Sequence, residues 1–114
     1  MRGAAIVFLL VLAFGCVTVG DELRRAQTLY DDARYEETLA WLAALEPELR
    51  GMERPDRTRF YYLRGMAAFR LGQRTRAAHD LTLAAELVAR DRHVLGPERR
   101  SVIERAQAEL ARGR

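Results

Sequence analysis

Apolar residues recur at intervals of three and four through two adjacent segments between positions 59 and 87. This spacing predicts two helices, each with one apolar stripe that is buried. Gly72 follows the last apolar residue of the first segment, where a left-handed residue often ends a helix. Thr75 is then predicted to cap the second helix through its hydroxyl. The stretch therefore predicts a helical hairpin.

The two predicted helices carry small residues that would allow their backbones to approach each other closely. Gly65 lies on the first helix, and Ala77 and Ala84 lie on the second. Leu81 completes the apolar stripe of the second helix. We therefore expect these four residues to form the packing surface of the hairpin.

A second pair of helices is predicted upstream of this hairpin. The first helix spans about Asp21–Asp32 and has acidic residues near its start, where the helix dipole favours negative charge. The second helix runs from about Tyr35 to Leu45 and is ended by Pro47. The residues predicted to pack within this pair include Ala26, Leu42 and Leu45.

The C-terminal segment is predicted to form a capping helix. Its sequence Gly96-Pro97-Glu98 is typical of a helix start. The apolar stripe that follows consists of Val102, Ile103, Ala106 and Leu110. Such a stripe would cover the open side of the preceding hairpin, as the end of a repeat array requires. The alternative is a basic recognition helix, but Glu104 and Glu109 are interspersed with the arginines, so capping is favoured.

The first twenty residues differ from the rest of the chain in polarity. Arg2 is followed by an uncharged stretch that extends to Gly20, and Ala4–Phe14 has the length of the apolar core of a signal peptide. Cys16 lies just after this core and is the only cysteine, so an internal disulfide is excluded. We therefore divide the chain into a signal or anchor segment (1–20) and a helical domain (21–114).

The segment around Cys16 resembles a bacterial lipoprotein signal, in which a cysteine after a short motif of small residues is lipidated. Gly15 matches this signal, whereas Ala13 and Phe14 depart from it. Cleavage by ordinary signal peptidase and an uncleaved anchor stay open as alternatives, although a spanning helix needs about 20 apolar residues. A buried helix of a cytosolic domain is disfavoured because the segment has no polar face. Because Val17 is not the aspartate associated with inner-membrane retention, the resemblance implies the periplasmic face of the outer membrane.

Composition and charge restrict the choice of partners only weakly. At 114 residues the chain holds one domain at most, with a small core. Arginine supplies all the basic side chains, since lysine is absent. Residues 21–48 carry a net charge of −5, and residues 49–114 carry +7. This asymmetry is compatible with an anionic partner or with head-to-tail self-association, and solvated helix faces are the simpler explanation.

The two helix pairs repeat each other at a fixed offset of 39 residues. The aligned positions are Ala26 with Gly65, Ala33 with Gly72, Leu42 with Leu81, and Leu45 with Ala84. A sequence period of this size is typical of helical repeat proteins. The chain resembles the tetratricopeptide repeat family, whose unit is a helical hairpin of about 34 residues. The resemblance implies an all-α fold of two antiparallel hairpins and a C-terminal cap, with Ala33 in place of the usual glycine.

In this family the first helix of each hairpin lines a groove that holds a peptide or a helix of another protein. The resemblance therefore implies a partner-binding groove in this chain. Its residues would be Leu23, Gln27, Tyr30, Arg59, Tyr62, Met66, Phe69 and Arg70. Met66 between two aromatic residues would supply an adaptable apolar surface, and the arginines would hold an acidic group. The alternative is that the chain's own N-terminal helix or the C-terminal cap covers Met66 and Phe69. The carboxylate clamp of the family uses lysine and asparagine, which this chain lacks, so binding of chaperone tails is not implied.

No combination of residues in the sequence predicts catalysis or a metal site. His79 and His93 lie on different elements, and neither an HExxH motif nor a Gly-rich phosphate loop occurs. His79 directly precedes Asp80 on a helix, so their side chains are expected to diverge. We therefore expect a non-enzymatic protein without a metal, a cofactor or a small-molecule substrate.

Together these features favour a membrane-anchored protein-interaction module, acting as a scaffold or assembly factor in the bacterial cell envelope. Its expected partners are another protein or peptide in the groove, a second copy of the chain, and the membrane through the N-terminus. A soluble periplasmic or cytosolic adaptor is the alternative. Nucleic-acid binding through the arginine-rich half is disfavoured, because the arginines do not cluster on one face and the chain is predicted to be exported.

Overall fold

The computed structural model describes residues 18–113, and all regular structure within that range is helical, without a strand. The predicted all-α class is therefore confirmed. The five α-helices are α1 (Val19–Asp31), α2 (Tyr35–Leu45), α3 (Arg54–Arg70), α4 (Arg74–Arg90) and α5 (Pro97–Arg112), and a short 3-10 helix, Glu46–Gly51, follows α2. The predicted lipidation site at Cys16 lies outside the described residues.

Helix α1 begins two residues before the predicted domain boundary at Asp21. Thr18 caps it, because its hydroxyl oxygen accepts a hydrogen bond from the backbone amide of Asp21 at 3.2 Å. The first turn carries Asp21 and Glu22, where negative charge interacts favourably with the helix dipole. Only Val17 and Thr18 therefore separate Cys16 from the start of the helix.

The turn between α1 and α2 and the turn between α3 and α4 share the same backbone hydrogen bonds. The equivalent pairs are the amide of Arg34 with the carbonyl of Leu29 and the amide of Gln73 with the carbonyl of Ala68, each at 2.9 Å. Ala33 and Gly72 precede the donors and are left-handed, with φ of 61° and 76°. This Schellman arrangement satisfies carbonyls that a helix end would otherwise leave unpaired. Both turns reverse the chain over three residues, so each pair of helices runs antiparallel.

The predicted cap at Thr75 is wrong. Helix α4 begins at Arg74, so its N-cap is Gln73 rather than Thr75, and Gln73 makes no side-chain capping hydrogen bond. The Schellman turn ends at Gln73 and the helix follows directly, so Thr75 already lies inside the first turn of α4. Arg74 instead donates from Nη2 to the carbonyl of Leu110 at 2.8 Å. This bond ties the start of α4 to the end of α5.

Helices α3 and α4 pack closely because Gly65 has no side chain. A Cβ atom at this position would lie 2.9 Å from Cδ2 of Leu81 and 3.1 Å from Cβ of Asp80. The residues that face Gly65 are therefore Leu81 and Asp80, rather than the small residues Ala77 and Ala84. Those two alanines are fully buried in the hydrophobic core.

The hydrophobic core extends across all five α-helices. Its largest fully buried apolar side chains are Phe60, Leu42, Leu63, Met66, Leu81 and Leu95. Ala26 is fully buried and Leu45 is almost so, which places the first pair of helices in the same core. Helix α5 contributes Ile103, Ala106 and Leu110 and packs on α4 and α3. The C-terminal helix therefore covers the second pair.

Substitutions at the two left-handed positions, Ala33 and Gly72, are expected to change the free energy of unfolding in opposite directions. Ala33→Gly should raise the free energy of unfolding by about 0.5–1 kcal/mol, because it removes the steric cost of a Cβ at positive φ. Gly72→Ala should lower it by about 1 kcal/mol for the same reason. Urea unfolding followed by far-ultraviolet circular dichroism measures both. Changes of the same sign in the two variants would contradict the shared turn geometry.

Candidate interaction surface and a buried ion pair

Helices α1, α3 and α5 lie side by side and line a cleft of about 440 Å³. The lining residues are Gly20, Leu23, Arg24 and Gln27 of α1, Arg59 and Leu63 of α3, and Arg99 of α5. Leu23 and Leu63 are almost fully buried and form an apolar floor. Each of the three helices contributes one arginine, and none of the lining residues within 18–113 is acidic. We call this site the arginine cleft.

Two of the cleft arginines have acidic neighbours on their own helix. Arg24 forms an exposed ion pair with Asp21, and Arg59 lies 3.7 Å from Asp56. The pKa of Asp21 is lowered by hydrogen bonds from Thr18 and Arg24. Such solvent-exposed pairs are weak, so they leave both guanidinium groups able to exchange partners. The guanidinium group of Arg99 lies over the ring of Tyr62, 5.7 Å from its centroid.

The structure brings together only part of the predicted groove. Leu23, Gln27 and Arg59 meet in the arginine cleft. Met66 and Tyr62, however, are 1% and 5% exposed, so the prediction that they form an open apolar surface is corrected. Both side chains belong to the core because the helices on either side of α3 cover them. Leu23 is buried in the same way and contributes only to the floor of the cleft.

The remaining predicted groove residues form an aromatic patch at the other end of α1 and α3, consisting of Tyr30, Phe69 and Arg70. Arg70 is exposed and donates from Nε to the hydroxyl of Tyr30 at 3.5 Å. This hydrogen bond raises the pKa of Arg70. The guanidinium group of Arg70 also lies 6.0 Å from the ring centroid of Phe69, and Tyr30 packs against Tyr35 at 5.4 Å between centroids. The patch therefore combines half-buried aromatic rings with an exposed positive charge.

Tyr62 lies between the arginine cleft and the aromatic patch. Burial raises the pKa of its phenol, and the nearby Tyr30 adds to this effect. Arg99 on α5 and Arg70 on α3 act in the opposite direction. The buried ring of Tyr62 on α3 therefore lies close to both Tyr30 of α1 and Arg99 of α5.

A buried ion pair between α3 and α4 is absent from the sequence-based predictions. Arg64 donates to both carboxylate oxygens of Asp80, from Nε at 2.8 Å and from Nη2 at 3.0 Å. The Asp80 side chain is 1% exposed and that of Arg64 is 15% exposed. Burial alone would lower the pKa of Arg64, but the hydrogen bonds and charge of Asp80 raise it overall. Arg64 also lies 4.0 Å from Glu46 and 4.8 Å from the ring centroid of Phe60.

The expectation that the side chains of His79 and Asp80 diverge is wrong. Nδ1 of His79 lies 3.1 Å from Oδ1 of Asp80, although the imidazole itself is mostly exposed. The two side chains are in contact because Arg64 holds the carboxylate of Asp80 in the α3–α4 interface and the imidazole of His79 lies at the edge of that interface. The sequence does contain a signal for the buried acid. Asp80 follows Ala77 by three positions and precedes Ala84 by four, which puts it on the apolar stripe.

Within residues 18–113, no group of three or more histidine, cysteine, aspartate or glutamate side chains is arranged to hold a metal ion. In that same range no helix has the length and apolar character needed to cross a membrane. Comparisons with protein-family models, curated proteins and solved structures give no match.

Removing one partner of the buried ion pair should destabilise the protein strongly. Arg64→Ala leaves the carboxylate of Asp80 buried without its counter-ion, and we expect a loss of about 3–5 kcal/mol in the free energy of unfolding. Replacing both residues with leucine should restore much of that loss. Urea unfolding provides the measurement.

Arg34→Ala is the matched control for this prediction. Arg34 pairs with Glu37 through side chains that are 54% and 56% exposed, so its removal should cost less than about 1 kcal/mol. Equal losses for Arg34→Ala and Arg64→Ala would show that the buried pair has no special structural role.

Proposed function

We propose that this chain is a non-enzymatic protein-interaction module of the tetratricopeptide type, held at a bacterial envelope membrane by its N-terminal segment. In this proposal α1–α2 and α3–α4 are two repeat units and α5 is the cap. The module acts as a scaffold or assembly factor and binds another protein on the side formed by α1, α3 and α5.

The observation that carries the proposal is the repeated turn. The two turns are equivalent at an offset of 39 residues. This offset relates the helix ends at Asp31 and Arg70, the helix starts at Tyr35 and Arg74, and the backbone hydrogen bonds of the two turns. An offset shared by sequence and backbone geometry is what a duplicated helical hairpin would produce. The first helix of each unit then lies on the same side of the domain as α5. In repeat proteins of this kind, that side is an extended binding surface.

The aromatic patch is the part of this side that best suits a protein partner. Tyrosine, phenylalanine and arginine are the side chains that dominate the energetics of many interfaces. Phe69 is half-buried and supported by the core, so little side-chain entropy is lost when a partner covers it. The exposed guanidinium group of Arg70 adds a positive charge suited to an acidic side chain of the partner.

A photocrosslinking residue in place of Phe69 tests the proposed partner surface. In full-length protein expressed in bacterial cells, we expect it to form a defined adduct with one envelope protein or with a second copy of the chain. The same substitution at Trp41 is the matched control. Trp41 is also a half-buried aromatic residue but lies on α2. Equal adduct formation at both positions, or none at Phe69, would contradict the proposal.

Metabolic labelling with a fatty acid tests the proposed anchor. Wild-type protein should incorporate the label, and Cys16→Ala should not, because Cys16 is the residue that this signal type would lipidate and the chain has no other cysteine. The membrane fraction should then retain the wild type and lose part of the variant. Equal labelling of the two proteins would eliminate the lipoprotein form of the anchor.

A further inference from the structure

We propose that the arginine cleft binds the phosphate headgroup of an anionic phospholipid in the membrane that anchors the chain. The proposal rests on the membrane anchoring put forward above and adds a second, specific contact between the folded domain and the bilayer. It follows from the position of the cleft, its charge and its floor.

The cleft lies close to the point where the chain enters the domain. Gly20 is one of its lining residues and is the fourth residue after Cys16. An extended chain spans at most about 3.6 Å per residue, so an anchor at Cys16 holds Gly20 within about 14 Å of the attachment point. The headgroup layer on each side of a bilayer is about 5–8 Å thick. Long arginine side chains at the rim of the cleft therefore reach the headgroups.

The charge of the cleft suits a phosphate. Arg24, Arg59 and Arg99 come from three different helices and converge on one space, and the described part of the chain adds no acidic residue to its lining. Asp21 and Asp56 compete for two of these arginines from outside the lining, through exposed pairs of little strength. A phosphate in the cleft could accept hydrogen bonds from all three guanidinium groups at once, whereas Asp21 and Asp56 each pair with one arginine on their own helix.

The floor of the cleft is closed, because Leu23 and Leu63 beneath the arginines are almost fully buried. A ligand therefore contacts the arginines and the amide of Gln27, as the phosphate and glycerol of a lipid headgroup would, while the acyl chains stay in the bilayer. An acidic segment of another protein is the competing occupant. It would have to lie between the domain and the bilayer surface, where the short connection leaves little room.

A titration with a short-chain anionic lipid tests the proposal. The protein is extracted from membranes, carries labelled leucine methyl groups, and is held in neutral detergent micelles. Dihexanoyl-phosphatidylglycerol should shift the methyl resonances of Leu23 and Leu63 in a saturable manner, whereas dihexanoyl-phosphatidylcholine should shift them much less. The triple variant Arg24→Gln/Arg59→Gln/Arg99→Gln should weaken the apparent affinity by about tenfold or more.

The matched control removes the same charge outside the cleft. Arg76, Arg90 and Arg105 are exposed and none of them lines the cleft, so replacing all three with glutamine should leave the titration unchanged. Equal weakening in both triple variants would overturn the proposal in favour of non-specific attraction. Equal shifts with the two lipids would also overturn it, and an acidic peptide that displaces the anionic lipid at lower concentration would favour a protein ligand. Because the titration measures the cleft alone, it stays independent of the fatty-acid labelling of Cys16.

Discussion

The close approach of α3 and α4 at Gly65 is the constraint on which the rest of the domain depends. It brings the backbone of α3 next to Asp80 on α4, and so places the neighbouring Arg64 where it donates to both carboxylate oxygens. Arg64 in turn reaches Glu46 on the 3-10 helix that connects the two hairpins. One missing side chain thus permits an ion pair that links three elements. A larger residue at position 65 would disturb all of these contacts together.

The sequence predicted those features that depend on local pattern. Helix α2 has the predicted bounds, and the glycine at position 72 marks the end of α3, because apolar spacing and turn residues act over a few positions. Features that depend on the neighbours of a helix were predicted less well. The apolar and aromatic face around Met66 suits a partner surface and a core position equally well in the sequence, and only the packing of the adjoining helices decides that Met66 is buried. The Arg64–Asp80 pair was missed because sixteen residues separate its members.

In the candidate site, too, some residues were predicted from the sequence and others depend on how the helices pack. Gln27 and Arg59 were placed on one face by the resemblance to a repeat family, and they do line one cleft. Arg99 was not expected there, because only the packing of α5 against α3 brings it beside Tyr62. The single predicted groove is therefore two sites of different character, separated by the buried ring of Tyr62. A charged cleft lies near the chain's entry into the domain, and an aromatic patch lies at the far end.

The two hairpins are unequal, and this has a mechanical consequence. Helices α1 and α2 have 13 and 11 residues, whereas α3 and α4 have 17 each and share the buried ion pair. The turn of the shorter hairpin also carries the left-handed Ala33. A pulling force applied at the N-terminal end of the domain would reach this shorter hairpin first. The shorter hairpin would then unravel before the longer one, and the chain would lengthen while the second hairpin stayed folded.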